Sequence, residues 1–239
     1  MIRDYDFITP LVCGDLAVEG IDLTVDRVPI EVDDISNADQ STQAVELSFS
    51  RYLMDIAENN FEFVGIPFFA CRSFRHRCIF VRKGSDIQSF KDLEGKRVGT
   101  DFWPATGNTW CRAALREQGV ALDKIQWWQG SIDDDYAPIE KPYEISPFSP
   151  DQELKTLSER KLEDMVIDGE LDAVMCPMPP ERFYDDNSQI VRLLADFKSE
   201  EQAYYRRTGV NPGHHIIGLR RSVFEQDPSI AARLYTALN

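Results

Sequence analysis

The chain has 239 residues, 43% of them hydrophobic and 11% aromatic, with a formal net charge of -15 and a mean hydropathy of -0.35. That length holds one large domain or two small ones, and no apolar run approaches the length of a membrane-spanning helix. The acidic balance disfavours nucleic acid and anionic membranes as partners, so an anionic ligand would have to be held by local cations.

Cys13-Gly14-Asp15 reads as an early turn, and the alternation from Ile21 to Val25 reads as a strand. Pro29 to Gln43 is polar and acidic, a loop or a poor helix. Ala44 to Ser48 is a short strand, Ser50 is placed to cap a helix from Arg51 to Asn59, and Phe63 to Pro67 is an apolar strand ended by its proline. Next comes the cationic stretch Cys71 to Lys83, whose second half has strand character. Five of the 26 Lys and Arg residues and one of three histidines fall within it. Either its charges face solvent and nearby carboxylates, or they wait at the base of a cleft for an anion.

Ser89 is placed to cap a helical turn through Leu93, Gly95 turns the chain, and Arg97-Val98-Gly99 opens a strand. A helix capped by Thr106 or Asn108 runs to Gln118 and stops at Gly119. Lys124 to Gln129 is a strand, and residues 131–152, rich in Asp and Pro, form a long loop. Helices are expected over 154–169, 199–207 and 228–238, and strands over 171–175, 190–194 and 214–220. The alternation implies an α/β protein with mostly parallel sheet. No Walker loop or dinucleotide fingerprint supports nucleotide binding. The five cysteines form no CxxC pair and read as reduced, mostly buried thiols without zinc spacing. No apolar h-region follows Met1, so a cytoplasmic protein is expected. The last helix reaches Asn239 without a cap, as if a C-terminal part were missing.

Several segments recur together in order: Glu19-Gly20-Ile21-Asp22-Leu23, Phe74-Arg75-His76-Arg77-Cys78-Ile79, Asp92 to Gly99, Gly169 to Val174, and Tyr205-Arg206-Arg207-Thr208-Gly209 through His215. The set resembles the 4,5-dihydroxyphthalate decarboxylase family, a branch of the type II periplasmic-binding-protein fold. The Asp92–Gly99 and Gly169–Val174 segments speak for the fold alone, and the other three are narrower. The stretches 33–43 and 133–150 depart from the family pattern, and family members run on past the equivalent of Leu238. The resemblance implies two α/β lobes, residues 1–80 with 205–239 and residues 81–204, joined by two crossing strands with a ligand cleft between them. The first crossing would run through His76 to Val81 and the second would precede His214.

The resemblance also implies removal of CO2 from a dihydroxylated aromatic diacid, for which no metal or organic cofactor is visible. Such chemistry needs an acid near neutral pKa, cations for the carboxylates, and a group to polarise the phenol. His76 is the first candidate for the proton donor, against a bland role as a buried histidine bonded to backbone. His215 is the second candidate, or instead binds the phenol. By strand alternation His214 points the other way. Arg75, on the family motif, is placed to clamp a carboxylate, and Arg77 reads as structural. Arg206 and Arg207 sit where a helix end favours cations anyway, with Arg207 the candidate contact. Thr106, Gly107 and Asn108 open a helix whose free N–H groups bind anions. Trp110 and Arg112 follow on that helix, Trp110 being equally at home in the core. Ser48 stands where this fold often puts a ligand-contacting hydroxyl. The expected partner is a small anionic aromatic substrate, and a homo-oligomer is left open. The competing reading is a non-catalytic solute-binding protein for an anionic aromatic or small carboxylate.

Overall fold

In a computed structural model, the structure describes residues 1–29, 39, 41–133, 154–156 and 160–239. Its strands are β1 (Ile2–Arg3), β2 (Arg27–Val28), β3 (Ala44–Ser48), β4 (Phe63–Arg72), β5 (Ile79–Arg82), β6 (Arg97–Thr100), β7 (Gln126–Gln129), β8 (Lys155–Thr156), β9 (Ala173–Met175), β10 (Ile190–Arg192) and β11 (Gly213–Arg220). The helices are α1 (Thr9–Cys13), α2 (Phe49–Ala57), α3 (Thr106–Glu117), α4 (Leu162–Asp168), α5 (Phe197–Thr208), α6 (Arg221–Gln226) and α7 (Ser229–Leu238). They divide into two compact units, Met1–Ser73 with Gly213–Asn239, and Phe74–Pro212. The chain therefore leaves the first unit after Ser73 and re-enters it at Gly213.

The first unit is built on the antiparallel sheet β3-β11-β4, with β1 and β2 as a separate parallel pair. Ile66, Ile217, Leu219 and Leu234 centre one core cluster, and Val45, Leu47, Phe63 and Ile216 the other. Pro67 does not end its strand. β4 runs on to Arg72, and Ile66 and Phe69 pair with the consecutive residues Ile217 and Ile216. The extra residues form a bulge that absorbs the proline's missing donor. The segment Ile21 to Val25 does alternate, its odd residues half-buried and packed on the core. It pairs with no strand among the described residues, so it is extended backbone rather than sheet; the strand comes later, at Arg27.

The second unit carries a sheet of order β10-β5-β9-β6-β7-β8. β9, β6, β7 and β8 pair in parallel, whereas β5 pairs antiparallel with both β9 and β10. The expectation of mostly parallel sheet thus holds for that run of four alone. Phe80, Leu115, Trp127, Leu162 and Val174 lie at the heart of its packing. The 3-10 turn at Phe90–Leu93 has the expected start, a reciprocal capping box between Ser89 and Asp92. Elsewhere the caps differ: Ser48 rather than Ser50 opens α2, and Ala105 opens α3. The expected helix over 154–169 is shorter, because Lys155–Thr156 is a strand on the sheet edge and α4 begins at Leu162. Most of the loop expected over 131–152, and most of the polar stretch 29–43, lie outside the described residues. Among the described residues no helix is long and apolar enough to cross a membrane.

Gly218 marks a tight approach in the first unit's sheet. A Cβ there would lie 2.3 Å from Leu47 Cδ1 and 3.2 Å from Phe63 Cβ, and both neighbours are buried. Gly218→Ala is expected to destabilise the fold by about 1–3 kcal/mol through overpacking. The check is a lower urea midpoint with an unchanged m-value; an unchanged midpoint would mean that Leu47 moves aside freely.

Candidate active site

In the first unit, strand register assembles a polar cluster inside an otherwise apolar sheet. β11 pairs antiparallel with β3, placing His215 opposite Ser48 and Ile217 opposite Glu46. Directly opposed residues share a face, as do residues two apart on one strand. Ser48, Glu46 and His215 therefore share one face. Glu46 is only 1% exposed, yet its carboxylate is fully engaged. Oε1 accepts from Arg3 Nη1 at 2.9 Å, Tyr5 Oη at 2.8 Å and His215 Nδ1 at 2.5 Å, and Oε2 accepts from the Arg3 backbone N–H at 2.9 Å.

Burial is the largest influence on Glu46 and opposes its ionisation. It is outweighed by the hydrogen bonds from His215 and the Arg3 amide, and by the charges of His215 and Arg3, which hold the carboxyl at about 2. Burial first, then the adjacent Glu46 charge, push the Tyr5 phenol upward, so it stays a donor. His215 keeps 23% of its side chain exposed, and its Nε2 has no protein partner among the described residues. Its neighbour His214 turns away, buried, with Nε2 2.8 Å from Ser73 O.

In the second unit, His76 does not begin a strand. His76–Cys78 is a turn of 3-10 helix, and β5 starts at Ile79. Strand alternation therefore does not govern Arg75, His76 and Arg77, since 3-10 geometry repeats every three residues. Arg75 and Cys78 come together, Nη1 lying 3.8 Å from Sγ, while Arg77 forms a two-pronged pair with Glu201 at 2.9 and 2.7 Å. The His76 ring is 2% exposed and lies 6.0 Å from Phe90 and 5.0 Å from Tyr204 between ring centres. Neither ring nitrogen has a hydrogen-bond partner among the described residues. Burial lowers its pKa below the ordinary imidazole value, against the opposing pull of Glu201, Glu200 and Glu117.

The start of α3 is close-packed. Arg75 Nη1 donates to Pro177 O at 3.2 Å, and a Cβ on Gly107 would lie 3.4 Å from Arg75 Nε and 3.0 Å from Pro177 Cγ. Arg75 and Gly107 are thus brought together. Thr106 and Asn108 are buried. The Asn108 amide donates to the Asp101 carboxylate and, at 2.8 Å, to Phe102 O. The first turn therefore already has a carboxylate beside it. Trp110 is half-buried. Arg112 is buried, donating to Trp103 O at 2.9 Å and Thr109 Oγ1 at 3.1 Å, with its guanidinium 4.0 Å from the Trp103 ring centre. Burial lowers its pKa to about 10. Arg207 is engaged in an exposed two-pronged pair with Glu117 at 2.8 and 3.0 Å.

Sequence reading missed Arg3, Tyr5 and Glu46. One signal was present: an acidic residue in the middle of the short strand Ala44 to Ser48. Among the described residues, no group of three or more His, Cys, Asp or Glu is arranged to hold a metal ion. All five cysteines are free, with Cys78, Cys111 and Cys176 buried, Cys71 intermediate and Cys13 exposed.

The discontinuous first unit and the mixed, largely parallel second sheet define the α/β periplasmic-binding-protein-like class of type II, and the NMT1/THI5-like family model matches residues 19–141. Over 240 residues the chain is 31% identical to the 4,5-dihydroxyphthalate decarboxylase of Comamonas testosteroni, covering 99% of this chain and 72% of that protein. With the 4,5-dihydroxyphthalate decarboxylase of Pseudomonas putida it shares 30% identity over 215 residues, 86% of this chain and 80% of that one. The chain belongs to the 4,5-dihydroxyphthalate decarboxylase family. Among solved structures, the periplasmic aliphatic sulphonate binding protein SsuA of Escherichia coli is similar at 14% identity and a TM-score of 0.49, covering 83% of this chain and 54% of that one. A periplasmic substrate-binding protein of an ABC transporter from Coxiella burnetii follows at 13% identity and a TM-score of 0.45, covering 99% and 90%.

The state of His76 has a measurable consequence. Its folded pKa lies below its unfolded value, so folding favours the neutral ring. Stability from this site is whole above the unfolded pKa of about 6.5 and erodes as pH falls from there toward the folded pKa, by at most about 1.4 kcal/mol per pH unit. His76→Phe removes this titration. In matched urea melts at about pH 7.5 and about pH 5.5, the variant is expected to lose less stability than the parent. Equal losses would show that the buried ring takes up its proton without penalty.

Proposed function

We propose that the chain is a decarboxylase of a hydroxylated aromatic acid of the 4,5-dihydroxyphthalate type, releasing CO2 and a dihydroxybenzoate, with His215 as the proton donor. Membership of the decarboxylase family supports the reaction class. The observation that carries the residue assignment is the contrast between the two candidate histidines. His76 is sealed among aromatic rings with burial favouring its neutral form. His215 has Nδ1 against a carboxylate, no partner on Nε2 among the described residues, and 23% of its side chain exposed. The role first expected of His76 therefore passes to His215.

The reaction needs one proton and no net redox change. A phenol para to the departing carboxylate pushes electron density toward the carbon that bears it. That carbon takes a proton from the His215 imidazolium through Nε2, which interrupts aromaticity. The C–C bond then breaks, its electron pair restores the ring, and CO2 departs neutral. The imidazole regains its proton from solvent. Ser48, opposite His215 on the same sheet face, is proposed as a hydroxyl contact to the substrate. Of the substrate contacts expected in the second unit, Arg112 and Arg207 are engaged in the structural contacts described. The substrate is a small anionic aromatic, and the five free cysteines suit the reducing cytoplasm.

The test is incubation of the purified protein with 4,5-dihydroxyphthalate and related hydroxybenzoic acids, following CO2 and product with and without chelator. Turnover insensitive to chelator is expected, and His215→Gln is expected to reduce it by about 10²–10⁴-fold, the usual worth of a positioned acid. Tight binding by calorimetry without CO2 would overturn the reading in favour of a solute-binding protein. Unchanged turnover in His215→Gln would overturn the residue assignment.

A further inference from the structure

Glu46 is a charged residue on a strand whose three central positions are all buried, and nothing in the proposed reaction requires it to touch substrate. We propose that Glu46 is a positioning residue: it holds His215 in the single tautomer and orientation that presents Nε2 to the substrate, while Arg3 and Tyr5 hold Glu46. This rests on the reading of His215 as the proton donor.

The argument is one of donors and acceptors. An ionised carboxylate only accepts, and has about four lone-pair sites. Three donors converge on Oε1 and one on Oε2, and in each contact the carboxylate is the acceptor. The His215 nitrogen at 2.5 Å must then carry the hydrogen. When the ring is neutral, Nε2 is the bare nitrogen; when it is charged, Nε2 carries the transferable proton. Arg3 Nη1 lies 3.4 Å from the same Nδ1. Two donors cannot bond each other, and the shared acceptor Glu46 keeps them in place. The backbone fixes the rest, because His215 and Glu46 sit on paired strands, and the Arg3 amide anchors the second carboxylate oxygen. A ring secured at Nδ1 and at its strand can exchange a proton with a ligand only through its far nitrogen. The charged or titratable groups facing this cluster are Arg3, Tyr5, Cys71 across β4, and the Met1 amino group.

A purely structural ion cluster would affect stability and nothing else, so the test reads the ring itself. The expected nitrogen-15 NMR spectrum of His215 without substrate shows Nδ1 protonated in the neutral ring, with a strongly downfield Nδ1 proton. In Glu46→Gln that proton signal is lost and the two tautomers mix. On 4,5-dihydroxyphthalate kcat falls by about tenfold or more, part of the roughly 10²–10⁴-fold that an oriented acid contributes, while KM stays within about threefold. Should the lone substitution leave Arg3 buried without a counter-charge and the chain unfolded, Arg3→Met with Glu46→Gln removes both charges and is expected to give the same spectrum and the same loss. An unchanged tautomer, or kcat within about twofold of the parent in a folded variant, would overturn the assignment. If the parent itself releases no CO2, the functional reading fails, and the spectrum alone still decides whether Glu46 sets the tautomer.

Discussion

A carboxylate taken out of water must be repaid in hydrogen bonds and opposite charge, or it will not stay charged. Glu46 meets that condition with four donors from three residues, and much of the first unit is arranged around it. β1 has two residues and could not persist alone. It is held because the Met1 amino group reaches Ala44 O at 2.8 Å, the Glu46 amide reaches Met1 O at 3.1 Å, and Arg3 spans both carboxylate oxygens. β11, which begins where the chain re-enters the unit, supplies His215. Breaking a buried pair of this kind typically costs about 3–5 kcal/mol, because the remaining ion is stranded. The same constraint ties the N-terminal segment, the strand β3 and the returning strand to one another, and it orients an imidazole as a consequence of folding.

The second unit treats its polar groups differently. Its histidine is dried out rather than paired, and several of its cations are matched to carboxylates, among them Arg77 to Glu201, Arg97 to Asp172 and Arg207 to Glu117. In the cationic stretch Cys71 to Lys83 the pairing reading is met at Arg77. Arg77 is an ordinary ion pair, Arg72 lies 4.6 Å from the centre of the Phe69 ring in the first unit, and Arg75 lies against the start of α3. In so acidic a chain, local pairing absorbs much of the positive charge before any ligand is considered.

The legibility of the sequence follows from this physics. β3, β6, β11, α3 and α7 were readable because their apolar period or their turn residues are strong, and so was the capping box at Ser89. His76–Cys78 was not, because a turn of 3-10 helix has no pattern of its own, and the apolar run Cys78 to Val81 invites a strand to start early. The alternation at Ile21 to Val25 was real, but alternation reports which side is buried, not whether a neighbouring strand exists. Glu46 escaped notice because β3 is buried at Val45, Glu46 and Leu47 alike, so the usual inference that a polar strand residue faces water fails there. Its four partners come from residues 3, 5 and 215, and no local window brings those together.

The motifs that carry the family resemblance turn out to be chiefly packing motifs. Phe74, at the head of one, stacks edge-on against Tyr204 and Tyr205 at 6.2 and 6.4 Å, the second of these opening the Tyr205–Gly209 motif. His76 adds its contact with Tyr204, and Arg77 its pair with Glu201 on the same helix. The two narrow motifs of the second unit are thus one interlocked contact between a turn and α5. The Glu19-Gly20 motif does the same for the first unit: Gly20 takes a φ of 67°, and Arg233 from α7 donates to Glu19 O at 2.8 Å. Aromatic contacts and a left-handed glycine tolerate few substitutes, which makes such segments diagnostic of a fold without making them reactive. His215 lies at the end of one of these motifs, but the carboxylate that orients it lies outside all of them. A search for chemistry in this family is better guided by charges that the fold has taken the trouble to bury and satisfy than by the segments its members most visibly share.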